Sequence, residues 1–277
     1  MVEKPSFIFG NLLNNDFLAS QGFDPLTNLL VTSEDPTFPI DLIRDDKVAS
    51  VWRTNPEIPA VLSATITANY VPGNNHNIAS LAIINHNLTS SATLTIQASS
   101  ETDFSIINGS QTFNPGTTAV NFFTKTGIIA ATDNWRLIIS DPTNTNKTLE
   151  IGELWFSEAH EEFIRSFNFG FTRNRQRLQV VNATRSGNKT VADFGLQKSF
   201  DLQWTLLRGA ARDQIVKLFD DSKGAFKPFL FIPDPTKSEV FEIRFEPTLS
   251  DTLTNPLLHS ISGVRLIEEV GAVALRF

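Results

Sequence analysis

Apolar and polar residues alternate strictly along two stretches of the first half of the chain. Leu62, Ala64, Ile66, Ala68 and Tyr70 are separated by Ser63, Thr65, Thr67 and Asn69, and Ala92, Leu94, Ile96 and Ala98 by Thr93, Thr95 and Gln97. A period of two sends successive side chains to opposite faces, so each stretch predicts a strand with one buried and one wet face. Between them, Ile78 to Ile84 is apolar almost throughout and predicts a strand covered on both sides. Trp135, Leu137 and Ile139 alternate again, and Leu149 to Phe156 predicts a further strand with a bulge at Gly152. Pro72-Gly73-Asn74-Asn75, Asn114-Pro115-Gly116 and Asp141-Pro142-Thr143-Asn144 supply turns, because Pro presets φ while Gly and Asn tolerate positive φ. Short strands punctuated in this way, with no crossover helices, predict an antiparallel sandwich.

The second half repeats the β signal with one interruption. Phe167, Phe169 and Phe171 share a face, as do Phe200, Leu202, Trp204 and Leu206, and Phe241, Ile243 and Phe245. In 209–223 the apolar residues Ala211, Ile215, Leu218 and Phe219 instead follow helical spacing, and Gly224 is placed to end the helix. Ser157 to Arg165 is the natural joint, so the expected organisation is a sandwich with an N-terminal arm over 1–157 and a β unit with one amphipathic helix over 158–277.

Charge supports that division. Residues 1–157 carry 7 Lys/Arg against 15 Asp/Glu, whereas 158–277 carry 16 against 15. The overall charge of −7 disfavours a dedicated nucleic-acid binder, which needs a basic footprint. No apolar run approaches the roughly 18 residues of a membrane span, so no membrane insertion is expected. The first residues do not read as a secretory signal, which leads to the expectation of synthesis in the cytosol. The absence of cysteine excludes disulfides, zinc–thiolate sites and cysteine nucleophiles.

Two resemblances sharpen the expectation. Asn28-Leu29-Leu30, Leu42-Ile43-Arg44-Asp45-Asp46 and Ser50-Val51-Trp52, followed by the strand series above, resemble the galactose-binding-like jelly roll of discoidin and F5/8-type-C domains and several carbohydrate-binding modules. The resemblance covers roughly 25–157, and Asp46 departs from the small residue usual there, which puts a structural calcium site in doubt. The phrases Ile78 to Leu88, Leu149 to Phe156 and Gly224 to Pro235 resemble those of phage tail proteins that join such a module to a C-terminal β unit. That second resemblance implies a structural component of a virion tail tip or baseplate, in a ring of identical subunits beside other tail proteins. The fold class is therefore mainly β, an N-terminal antiparallel jelly-roll sandwich plus a C-terminal β unit carrying one helix.

Catalytic signatures are missing. There is no G-x-S-x-G elbow, H-E-x-x-H pair, P-loop or G-x-G-x-x-G turn, so no catalytic residue, metal ligand set or cofactor is expected and the chain is read as a non-enzyme. An alternative is a module that recognises a cell-surface glycan, and a glycan-processing enzyme ranks last. Asp45, Asp46 and Trp52, in one Asp-rich loop, and His86-Asn87, at a strand end, are the candidate ligand-binding residues. His86-Asn87 reads equally as a turn whose side chains cap backbone groups, and Trp52 as core. Arg173, Arg175 and Arg177 have period two and form one basic face, either a charge-guarded edge strand or a surface docking a neighbour's acidic module. In Phe226 to Phe231 the Pro is awkward for a central strand, which makes Phe229 and Phe231 candidates for an inter-subunit seam, with core packing as the alternative.

Overall fold

The computed structural model describes residues 4–269, apart from 21–25, 27, 57–61, 116–120, 129, 159, 169–170, 184–188, 235–238 and 256. In chain order its strands begin with β1 (Ser6–Ile8), β2 (Asn28–Val31), β3 (Trp52–Arg53), β4 (Ser63–Asn69), β5 (Ser80–His86) and β6 (Thr93–Ser99). They continue with β7 (Ile107–Phe113), β8 (Phe122–Lys125), β9 (Asn134–Ser140), β10 (Glu150–Ser157), β11 (Glu161–Glu162) and β12 (Thr172–Ala183). The last are β13 (Lys189–Leu207), β14 (Phe229–Ile232), β15 (Phe241–Phe245), β16 (Ser250–Asn255) and β17 (Leu258–Glu268). The helices are α1 (Asn15–Ser20) and α2 (Gly209–Asp221), with a 3-10 turn at Ile40–Arg44.

These strands form three antiparallel sheets. A five-stranded sheet of order β2-β4-β9-β6-β7 faces a four-stranded sheet of order β3-β10-β5-β8, and together they make the jelly-roll sandwich. Its core holds Ala64, Ile66 and Ala68 of β4, Leu94 and Ile96 of β6, Leu137 and Ile139 of β9, and Leu81 and Ile83 of β5. The expected alternation is thus the inner face of each strand. The third sheet runs β11-β1-β14-β15-β17-β13-β12, with β16 joined to β17. One of its faces is covered by α2 through Ala211, Ile215 and Leu218, packed with Phe229, Phe231, Phe241 and Phe245.

Its other face lies against the sandwich. Leu230 and Ile232 of β14 pack with Ala82 and Ile84 of β5, Phe123 of β8 and Trp155 of β10. Strand β5 is therefore apolar on both sides because both sides are covered. The N-terminal arm completes the join. Strand β1 pairs with β14 and β11 in the third sheet, and the chain then enters the sandwich core through Leu12, Leu13 and Leu18. Between these, buried Asn11 donates to the Leu154 carbonyl (2.8 Å) and accepts from the Phe156 N–H (3.2 Å). A cut at residue 157 therefore does not separate the sheets, since the first strand belongs to the last one.

Three local expectations change. Gly152 is not a bulge: Ile151 pairs with His86 and Glu153 with Ile84 in unbroken register. Glycine is needed there because a Cβ would lie 2.8 Å from the Val48 carbonyl oxygen. Strand β14 is central, between β1 and β15. Pro228 precedes it by one residue and so removes no ladder donor. Helix α2 stops at Asp221, after which Gly224 takes φ 62° and donates to the Phe219 carbonyl at 3.0 Å.

Candidate functional site

The five candidate ligand residues fall at one end of the sandwich, where Trp52 is buried and the other four are half-buried. Trp52 pairs with Ile151, which also pairs with His86, so the two side chains share one row across β3, β10 and β5. Trp52 is 0% exposed, so it offers no platform to a sugar ring. His86 Nδ1 accepts the Leu88 N–H at 3.2 Å, and burial lowers its pKa to about 4. Asn87 accepts the Glu150 N–H (2.9 Å) and donates to the Thr148 carbonyl (2.8 Å), which makes it a strut between loops. Asp45 accepts the Lys47 N–H (3.0 Å), and Asp46, at φ 57°, receives the Asn14 amide at 3.3 Å. What this end shows to solvent is a hydroxyl ledge. Thr89 donates to buried Asp141 (2.5 Å), and exposed Ser91 and Thr143 share a hydrogen bond beside it.

Behind the Asp45-Asp46 loop lies a pair of acids that the residue pattern does not single out. Glu153 of β10 and Glu242 of β15 both point into the seam between the sandwich and the third sheet, and are 0% and 1% exposed. Glu153 accepts the Lys47 N–H (2.8 Å), and Glu242 accepts the Trp155 indole N–H (3.3 Å). Burial first, then the charge of Glu242, raises the Glu153 carboxyl well above its usual range. Burial, then Asp46, does the same for Glu242. Arg244 partly offsets this for Glu242 and reaches the Asp46 carbonyl at 3.4 Å. Among the described residues no group of three or more His, Asp or Glu converges as a metal site. The hint of this acid pair in the sequence is a carboxylate, Glu153 or Glu242, flanked by apolar residues within a strand.

The basic row on β12 is partly committed. Arg173 pairs with Glu239 (2.9 Å) and stacks over the Phe200 and Phe241 rings, each at 5.3 Å. Arg175 and Arg177 are exposed. They lie on a long ribbon: β12 and β13 pair from Thr172–Asp201 down to Ala183–Lys189, whereas among the described residues β13 pairs with β17 over Ser199 to Leu207. Beyond Ser199 the hairpin overhangs the sheet by about ten residues, roughly 30 Å. Exposed Val191 (52%) and Leu196 (40%) lie on this overhang. Phe229 and Phe231 are not at a surface: both are 0% exposed in the core under α2, and the exposed aromatic of that phrase is Phe226, at 71%.

At the opposite end of the third sheet, β11 presents exposed Glu161 and Glu162. Beside it opens a cleft of about 420 Å³ walled by Phe7, Phe9 and Phe17, with Glu158, Glu161 and Asp221 at its rim. Lys217 there pairs with Asp221, so the rim carries an acidic excess.

No protein-family model matches the chain, and no curated protein matches it. Solved structures do. A family 32 carbohydrate-binding module of Clostridium perfringens NanJ, in complex with galactose, is 15% identical, with a TM-score of 0.36 over 48% of this chain and 93% of that one. A third module of that type, from a family 31 glycoside hydrolase of the same organism, is 15% identical with a TM-score of 0.38 over 47% and 88%. The lectin domain of lectinolysin, complexed with Lewis B antigen, is 12% identical with a TM-score of 0.39 over 55% and 99%.

Proposed function

We propose that this chain is a non-catalytic structural protein that works by assembling with copies of itself, as a component of a phage tail. The overhanging β12–β13 hairpin carries the assembly reading. A two-stranded ribbon alone is marginally stable in water, and this one holds Val191 and Leu196 exposed among the described residues. Such an element gains stability from a neighbour's surface. The tail setting rests on the three phrases Ile78 to Leu88, Leu149 to Phe156 and Gly224 to Pro235. Native mass spectrometry and sedimentation test the reading on the whole chain and on a variant whose residues 178–195 are replaced by an Asn-Gly turn. The wild type is expected as a closed oligomer, and the shortened chain as a folded monomer. A wild type that stays monomeric at about 100 µM protomer overturns the reading.

A second reading, glycan contact by the sandwich, is favoured by the exposed hydroxyl ledge of Thr89, Ser91 and Thr143 around Asp141. Sugar recognition relies on convergent polar groups at a loop end. Here the ledge, not Trp52, would carry it. Glycan-array binding that disappears in Thr143→Val supports this reading, and an empty array removes it.

A further inference from the structure

We propose that the cleft at the junction of the N-terminal arm, the β10–β11 link and α2 is a binding site for a small organic cation. The site lies within one chain and stands apart from the assembly reading. Its volume of about 420 Å³ is in the range that small ligands fill, and such sites favour the junctions between packed units. Phe9 packs on the core under α2 and Phe17 on the sandwich core, so the cleft opens where the two cores meet.

One glycine permits the aromatic wall. Gly10 has φ 96°, and a Cβ there would lie 2.1 Å from the Phe17 ring. The ring therefore rests against bare backbone, and it meets Phe9 edge to face at 6.2 Å. Phe9 and Phe17 are both half-buried. An aromatic face attracts a cation through its quadrupole, and more strongly where water is partly excluded.

The rim supplies the counter-charge. Glu161 pairs with Phe7, whose side chain belongs to the core under α2, so the Glu161 side chain lies on that same face of the sheet. Gln214 ties the helix to the chain beside it, accepting the Ile164 N–H (2.9 Å) and donating to the Glu162 carbonyl (3.0 Å). The walls are thus held in place before a ligand arrives. Lys217 and Asp221 are paired with each other, and one oxygen of Glu158 lies 2.8 Å from His76 Nδ1. The Glu161 side chain makes no hydrogen bond or ion pair among the described residues. Three carboxylates, Glu158, Glu161 and Asp221, thus face the single ammonium of Lys217. That balance repels an anion, and a neutral ligand draws no cation–π attraction from the rings. An alkylammonium suits both halves of the cleft. Its chain lies against Phe9 and Phe17 while its nitrogen donates to Glu161, a charge-assisted bond about twice as strong as a neutral one.

A ligand-observed NMR titration of the intact chain with pentylammonium tests the site, with 1-pentanol and pentanoate as neutral and anionic matches. Pentylammonium is expected to bind with a dissociation constant of about 1 mM, as a ligand of this size allows. It should bind about tenfold more tightly than either match. Glu161→Gln is expected to weaken binding by about tenfold, because a neutral amide replaces the ionised acceptor. Phe17→Leu keeps an apolar wall without the ring, and is expected to weaken binding by about 2- to 5-fold. Circular dichroism reports the folding of each variant, and Glu161 is exposed, so its replacement leaves the core untouched. Equal affinity for pentylammonium and 1-pentanol means a merely apolar hollow and overturns the proposal. Unchanged affinity in folded E161Q overturns it too, as does a wild-type dissociation constant above about 10 mM.

Discussion

The indole N–H of Trp155 donates to Oε2 of Glu242 at 3.3 Å, across the seam between the sandwich and the third sheet. Trp155 belongs to β10 and Glu242 to β15, so one hydrogen bond joins two sheets that share no strand. It is also one of few polar contacts in a layer otherwise made of Ile8, Ala82, Ile84, Leu230 and Ile232. The seam thus combines apolar packing with carboxyls that prefer to stay protonated.

The first prediction follows from that preference. In the unfolded chain both acids titrate near 4.5, whereas in the fold burial raises both. The folded state then holds protons that the unfolded state has lost. Their contribution is fully present below the unfolded value and is lost as pH rises toward the folded values, by up to about 1.4 kcal/mol per pH unit per proton. Urea denaturation from about pH 5 to about pH 8 should show falling stability from these groups. Glu242→Gln keeps a neutral partner for Trp155, so its curve should be flatter and lie above wild type at the alkaline end. Parallel curves would sink the idea.

Gly152→Ala is expected to destabilise by about 1–3 kcal/mol. The added methyl would sit 2.8 Å from the Val48 oxygen and 3.1 Å from that of Ile84, both backbone atoms that cannot rotate aside. A thermal midpoint equal to wild type would show that the strand shifts freely.

Asn11→Ala should lower stability by about 1–3 kcal/mol, since it strands a buried carbonyl at Leu154 and removes the acceptor of the Phe156 N–H. Because Asn11 lies between β1 and the sandwich core, limited proteolysis should cut the N-terminal segment faster in the variant. Unchanged cleavage would mean that β1 alone anchors the arm.

Trp52→Ala is expected to weaken the whole fold by about 3–5 kcal/mol, as large-to-small changes in a core do. Any glycan binding should decline in proportion to the folded fraction. Binding lost in a protein of wild-type thermal midpoint would place Trp52 at a ligand after all.

What the amino-acid pattern made legible depended on whether a segment's environment is written in its own residues. Strands β4, β6 and β9 alternate because each has one core face, and β5 runs apolar because Leu81 and Ile83 face one core while Ala82 and Ile84 face another. Strand β7 carries no such mark: Ile107 and most of its residues are exposed, and its pairing with β6 is a backbone matter. Strand β1 is three residues long, and the strands it pairs with lie more than 150 residues away. At the candidate site, residue type alone did not separate an inward Trp52 from an outward one, and Glu153 meets Glu242 only through the way the sheets stack. The basic row on β12 was readable, whereas Glu161 and Glu162 of β11 read only as part of a joint between halves.

The place of β1 sets an order of events on the ribosome. Its partner β14 begins at Phe229, about 220 residues after Ile8, so at cellular elongation rates roughly ten to forty-five seconds pass between the two. The sandwich strands through Ser157 and the β11 partner emerge well within that interval, so one edge of β1 finds its partner early while the edge that pairs with β14 waits. A change that hinders this late pairing of β1 with β14 should leave a folded sandwich with an open third sheet.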